Sequence, residues 1–234
     1  ENDPQQHQLL HDAFQVKDAG NQLSILTGGR SVHAPYPMVG GFLKFPDSAN
    51  VEKVIKLLRD CHPAVERLIK IFQDWSKTQA QTIPYLAYSN GRIETSDGLD
   101  IAEVDYRKHL QKKQLDYSQA SAYTYKEGYF MTGALARLNL QAQPPAPFPS
   151  NNVYHNNLAQ AIEILQAINA SIAILNKTKF APEPLVKPRL TSGEGIGVIE
   201  APRGILYHHL TIKNNVVADA EILAVIQTSL TALG

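Results

Sequence analysis

The chain has 234 residues, 44% hydrophobic and 19% charged, which is the composition of a globular protein and excludes a disordered one. Its 22 basic and 22 acidic residues cancel, which removes the electrostatic case for nucleic acid or an anionic membrane as a partner. A single cysteine, Cys61, rules out an internal disulfide framework and fits a reducing, cytoplasmic compartment.

Residues 1–8 are polar and lack the apolar stretch of a secretory signal. The sequence shows no apolar run of the roughly 20 residues that cross a bilayer. Residues 5–26 place Leu9, Leu10, Ala13, Phe14, Leu23 and Leu26 at mostly helical spacing, and Gly28-Gly29 follows as a C-terminal cap. Residues 28–46 hold four glycines and three prolines and read as a shaped loop. Residues 50–76 carry one apolar stripe from Val51 to Trp75, with Ser48 or Asn50 as cap and Pro63 kinking or splitting the helix near Cys61. Cys61 lies among apolar neighbours and reads as a small core residue.

Residues 83–88 and 91–94 predict two short strands around a Ser89-Asn90-Gly91 turn. Residues 106–127, polar and rich in tyrosine, read as irregular, with Tyr123, Tyr125 and Tyr129 spaced like one packed aromatic face. A short helix is expected over 128–139. The four prolines of 141–150 make an extended connector, either a boundary or a surface loop. A second long helix is predicted over 153–176. From Ile196 onward β-branched residues flank Ala201-Pro202-Arg203-Gly204, and Asn214-Asn215 offers another turn, which predicts a small antiparallel sheet. The tail from Glu221 to Leu233 suits helix or strand. The fold class is therefore α+β and mainly helical, with two long helices and a small sheet carrying Arg203, read as one domain over 1–234.

Three blocks point further. Glu200-Ala201-Pro202-Arg203-Gly204, with Leu206-Tyr207-His208-His209 behind it, resembles a motif near the C-terminus of nickel–iron hydrogenase large subunits, most closely in the cytoplasmic, cofactor-coupled group. Gly28-Gly29-Arg30-Ser31-Val32-His33 with Val39-Gly40-Gly41-Phe42 resembles the glycine-rich loop of that family. Gly128 through Asn139 resembles a third block, and all three stand in the family's order.

The resemblance implies reversible cleavage of dihydrogen into protons and electrons at a nickel–iron centre, with an iron–sulfur small subunit carrying the electrons away. It implies that Arg203 projects as a buried cation over that centre, that Pro202 shapes the pocket, and that His33 lies close by as a relay. Against this, the family holds its metals on four cysteine thiolates, and one cysteine cannot supply four. The adjacent His208 and His209 point to opposite faces of a strand and cannot share an ion. The chain is therefore read as a middle and C-terminal-side segment of such a large subunit, lacking both cysteine pairs; as given it is expected to bind no nickel–iron centre and to be inactive by itself, which leaves its standing as an enzyme open. The alternatives are a non-catalytic scaffold derived from a hydrogenase, or, ranked lower, a relative of the quinone-site subunit of respiratory complex I. Without metal, Arg203 would pair with Glu200 or Glu194, with Gly28, Gly29, Arg30 and Gly204 as supporting backbone. The chain departs from the family at Ala34, where a proline is usual, and at Val225-Ile226-Gln227-Thr228-Ser229, which lacks a proline-containing turn.

Overall fold

The computed structural model describes residues 3–115, 118–187 and 191–223. In chain order the elements are α1 (Pro4–Gly28), β1 (Pro37–Met38), β2 (Gly41–Phe42), α2 (Ser48–Asp60), α3 (His62–Gln73), β3 (Leu86–Ser89), β4 (Arg92–Thr95), β5 (Asp100–Ala102), α4 (Tyr106–His109), β6 (Leu110–Leu115), β7 (Ser118–Tyr125), α5 (Ala134–Asn139), α6 (His155–Lys177), β8 (Gly193–Ala201), β9 (Gly204–Lys213) and β10 (Val216–Leu223). The α+β class holds. The chain divides into two compact units, one of residues 1–75 with 161–189 and one of 76–160 with 190–234.

In the first unit α1, α2, α3 and the later part of α6 enclose Ala19, Val54, Ile55, Leu58, Cys61, Val65 and Ile168. The long apolar stripe splits where proline demands it. Cys61 ends α2, and Pro63 falls in the first turn of α3, where a missing N–H leaves no bond unmade. The cap of α2 is Asp47, neither Ser48 nor Asn50. Its carboxylate accepts the Asn50 N–H at 2.9 Å and the Asn50 side-chain amide at 2.6 Å. Cys61 is fully buried, its Sγ–H donates to the Leu58 carbonyl at 3.3 Å, and burial pushes the thiol pKa up. Gly29 ends α1 at φ 90°, donating its N–H to Ile25. A Cβ there would come within 2.6 Å of the Tyr36 ring, so glycine is required twice over.

Helix α6 bears on the expectation that no apolar run is long enough to cross a bilayer. Among the described residues it is the one helix long and apolar enough to cross a membrane by length and composition. Asparagines and glutamines break up any apolar run, but only Glu163 carries a charge before Lys177, so the helix is more apolar than its pattern suggests.

The second unit has two three-stranded antiparallel sheets, β3–β4–β5 and β8–β9–β10, and the hairpin β6–β7. One core joins them through Leu86, Ile93, Ile101, Tyr106, Tyr123, Tyr125, Phe130, Ile205 and Tyr207. Turns at Asn90-Gly91 and Asn214-Asn215 all have positive φ, as tight hairpins with a right-handed twist require. The segment expected to be irregular, 106–127, is instead α4 followed by a hairpin. Its first strand shows solvent four polar residues after Leu110, which hid the alternation, and its second buries Tyr123 and Tyr125. Tyr129 lies beyond the turn and is exposed, so it leaves the expected aromatic face. Of the helix expected over 128–139 only α5 forms, while Met131 bridges in parallel to Tyr85. At the C-terminal end β10 carries the chain to Leu223, and the stretch Val225–Ser229 lies outside the described residues.

Candidate functional site

Arg203 sits in a two-residue turn. Ala201 and Gly204 pair across it as the last residues of β8 and the first of β9. Pro202 fixes its own φ on the way in, and Gly204 leaves at φ 135°, a conformation other residues rarely adopt.

The turn is held from outside its own sheet. Arg137, on α5, donates Nη1 to the Glu200 carboxylate at 2.6 Å and to the Ala201 carbonyl at 3.0 Å, and Nη2 to the Pro202 carbonyl at 2.8 Å. Thr132 Oγ1 donates to the Arg203 carbonyl at 3.3 Å. Gly133 has φ 92° and ψ −161°, a region essentially closed to side-chain-bearing residues. A Cβ on it would lie 3.3 Å from the Arg203 carbonyl oxygen. Glu200 also accepts the Tyr88 N–H at 2.9 Å, which ties β8 to β3. Two sequence blocks that lie some 60 residues apart thus form one piece of structure, in which every carbonyl of Ala201-Pro202-Arg203 has a donor.

Beside the turn opens a cleft of about 400 Å³, lined among others by Thr132, Gly133, Tyr154, Asn157, Pro202 and Arg203. Among the described residues its lining contains one cation, several carboxamides and no carboxylate. Such a wall favours a small polar or electron-rich occupant over a cation. Arg203 is exposed at this cleft rather than buried, because a two-residue turn at the edge of a sheet projects beyond the packed layer.

The other sequence candidates are placed as follows. Glu200 sits beneath the turn on Arg137. Glu194 pairs with Nε2 of His209 at the far end of β8. His209 is buried and His208 exposed, as alternation on a strand demands, and Nδ1 of His209 has no hydrogen-bond partner among the described residues. Gly28, Gly29, Arg30 and His33 belong to the first unit. Gly28 is buried, its carbonyl accepting the Tyr36 N–H at 3.1 Å, whereas Arg30 and His33 are exposed and His33 has φ 54°. The residues missed as individuals are Thr132, Gly133 and Arg137. The signal for the last was a lone charge inside Ala134-Leu135-Ala136-Arg137-Leu138, an otherwise apolar run.

The donor set does not fit a thiolate-held metal centre. Cys61 is the one cysteine, its sulfur is sealed in a helical core, and among the described residues no three His, Cys, Asp or Glu side chains converge.

No family model matches the chain. Curated relatives do. The sulfhydrogenase 1 subunit alpha of Pyrococcus furiosus is 28% identical over 237 residues, covering 90% of this chain and 55% of the relative. The NAD-reducing hydrogenase HoxS subunit beta of Cupriavidus necator is 30% identical over 170 residues, 57% of this chain and 35% of the relative. Among solved structures, an NAD+-reducing NiFe-hydrogenase in the H2-reduced state superposes with a TM-score of 0.78 at 18% identity, over 96% of this chain and 59% of that one. The NiFeSe-hydrogenase of Dm. baculatum gives 0.74 at 18%, over 93% and 58%. At that identity the structures establish the fold. The chain spans about half the length of the curated relatives that cover most of it.

Proposed function

We propose that this chain, homologous to hydrogenase large subunits over 90% of its own length, serves in a nickel–iron hydrogenase that reversibly oxidises dihydrogen to protons and electrons. The observation that carries the reading is the joint built by Arg137, Gly133 and the Pro202-Arg203 turn. A guanidinium that needed only to be solvated at a hairpin tip would not require its backbone to be gripped on three successive carbonyls.

What this chain contributes is a permanent positive charge at a fixed place on the wall of a small cleft. A guanidinium is a permanent cation, and the rigid turn lets it act without first reorganising. The thiolates for a nickel–iron centre have to come from polypeptide other than these 234 residues, because the donor set here does not fit them. The isolated chain is accordingly expected to be inactive, and an iron–sulfur small subunit is the electron-carrying partner we propose for the complete enzyme. We also propose a cytoplasmic location, on the strength of the single reduced cysteine and the resemblance to the cofactor-coupled group.

The test is an assay of dihydrogen oxidation in an assembled enzyme containing this chain. Arg203→Met should lower kcat by about 100- to 1,000-fold, the usual cost of losing one preorganised electrostatic donor. Retention of full activity would sink the assignment. Stoichiometric nickel bound by the 234-residue chain alone would overturn the claim about its donors.

A further inference from the structure

The first unit carries a hollow of about 300 Å³, lined by the end of α1, the loop that follows it and the start of α2. Two ammonium groups line it, Lys44 from the loop and Lys53 from α2. Neither has an ion-pair partner among the described residues, and the Gln22 carboxamide and Tyr36 hydroxyl that share the lining make no hydrogen bond there. Tyr36 is fixed in place. Its N–H donates to the Gly28 carbonyl at 3.1 Å, its carbonyl accepts the Leu43 N–H at 2.9 Å, and its ring fills the space a Cβ on Gly29 would need. Lys44 Nζ stands 5.6 Å from the centroid of that ring, within cation–π range, so one charge is held against a preset wall.

A single exposed lysine needs no partner but water. Two on one hollow repel each other, and a doubly charged anion between them turns that repulsion into attraction. The lining has one carboxylate, Asp47, and both of its oxygens are engaged by Asn50, at 2.9 and 2.6 Å. The positive end of α2, worth roughly half a unit charge, offsets part of the Asp47 charge. The balance of the lining is therefore positive. Leu26 and Val54 add apolar surface, from which a bare inorganic ion gains nothing and an organic group gains burial. The volume suits a small molecule and is too small for a dinucleotide. A phosphate monoester has what these groups ask for: close to two negative charges, three strong acceptor oxygens and an organic portion on one side.

We infer that this hollow binds a small organic phosphate monoester. The dianion lies between Lys44 and Lys53, the Gln22 carboxamide and Tyr36 hydroxyl are its further donors, and the organic portion packs on Leu26 and Val54. The hollow shares no lining residue with the cleft beside Arg203, and its occupancy does not depend on the hydrogenase reading.

The experiment titrates the full 234-residue chain at low salt, by calorimetry, with phenyl phosphate, inorganic phosphate and benzoate. Phenyl phosphate should saturate one site per chain. Inorganic phosphate, which lacks the ring, and benzoate, which lacks the second charge, should each bind about tenfold more weakly. Lys44→Gln and Lys53→Gln should each lower the phenyl phosphate affinity by about tenfold or more, the usual effect of removing one charged hydrogen-bond partner. Lys44→Arg and Lys53→Arg keep the charge and should keep most of the affinity. Lys70→Gln, on α3 and outside the lining, should change nothing. The side-chain amide resonances of Gln22 should shift on saturation, which places the ligand independently of the variants. Circular dichroism should show every variant folded, since Lys44 and Lys53 make no ion pair with the described residues. Absence of saturable binding overturns the inference. So does binding that ignores both Gln variants, or that Lys70→Gln weakens as much as they do, because the uptake is then general attraction to a charged surface. Inorganic phosphate bound as tightly as phenyl phosphate overturns the organic ester as ligand, and benzoate bound as tightly overturns the dianion.

Discussion

Arg137 and Glu200 meet at 2.6 Å, and the same guanidinium also reaches the carbonyls of Ala201 and Pro202. Both side chains are largely buried, at 17% and 12% exposure. A pair so placed repays its desolvation only while the carbonyls and the carboxylate together satisfy the planar fork. Removing the cation leaves a buried carboxylate and two unserved carbonyls. Arg137→Ala should therefore destabilise the second unit by about 3–5 kcal/mol. Arg137→Lys should recover little of that, because a point charge cannot serve three acceptors in a plane. Urea unfolding gives the first number, and amide exchange at Arg203 and Gly204 shows whether the turn itself loosens. An unchanged exchange rate in Arg137→Ala would mean the turn is held by its own sheet.

Gly133 approaches the same turn from the other side. Its backbone lies in a region that only glycine enters freely, and its missing Cβ leaves room for the Arg203 carbonyl. Gly133→Ala is expected to cost about 1–3 kcal/mol in strain, and more if the contact cannot relax. It should also shift the backbone resonances of Pro202 neighbours while sparing those of β3 to β5. A Gly133→Ala protein with parent stability and parent spectra would show that the close approach is incidental.

The sequence showed these parts unequally. The helices α1, α2, α3 and α6 were legible because their apolar spacing is regular and glycine or proline punctuates their ends, as at Gly29 and Pro63. The hairpin at Asn90-Gly91 and the sheet around Arg203 were legible from turn chemistry and β-branched residues. The hairpin β6–β7 was not, because Lys112 and Lys113 face solvent and the burial that defines it comes from partners distant in sequence. The cap of α2 slipped by one to three residues, since Asp47, Ser48 and Asn50 are all competent acceptors and only geometry chooses among them. Arg203, Pro202 and Glu200 stood out through the five-residue segment Glu200-Ala201-Pro202-Arg203-Gly204. What Glu200 does was hidden, because its partner Arg137 is 63 residues away.

Glu221 sets a test for the core of the second unit. Burial pushes its carboxyl up, yet hydrogen bonds from Tyr106 at 2.8 Å, Arg107 at 2.7 Å and Tyr123 at 2.9 Å together outweigh burial and hold its pKa down. Burial first, and then the bond to Glu221, raise the Tyr106 phenol to about 12 against an opposing pull from Arg107. Tyr106→Phe and Tyr123→Phe should each cost roughly 1.5–3 kcal/mol, the range for a hydrogen bond to a charged group. Because the two donors share one carboxylate, the double variant should depart from additivity by more than about 0.5 kcal/mol. Strict additivity in chemical denaturation would show that the two hydroxyls act independently.

A second acid tests the first unit by pH. Asp12 is 2% exposed between α1 and α3, where Arg67 donates Nε and Nη2 to its two oxygens at 2.7 Å each and Gln8 adds a third bond at 2.8 Å. The Arg67 hydrogen bonds lead in holding its carboxyl below the ordinary value, against a smaller push upward from burial. A carboxyl depressed in the folded state binds its proton less readily there than in the unfolded chain. Its contribution is therefore complete above the unfolded pKa of about 3.9, and it is lost as pH falls through the folded value. Asp12→Asn keeps the shape and removes this titration. The parent should lose melting temperature steeply below about pH 4, whereas the gap between parent and Asp12→Asn, large near pH 7, should close as acid is added. A gap that stays constant from neutral to acid would show that Asp12 acts through packing and not through its charge.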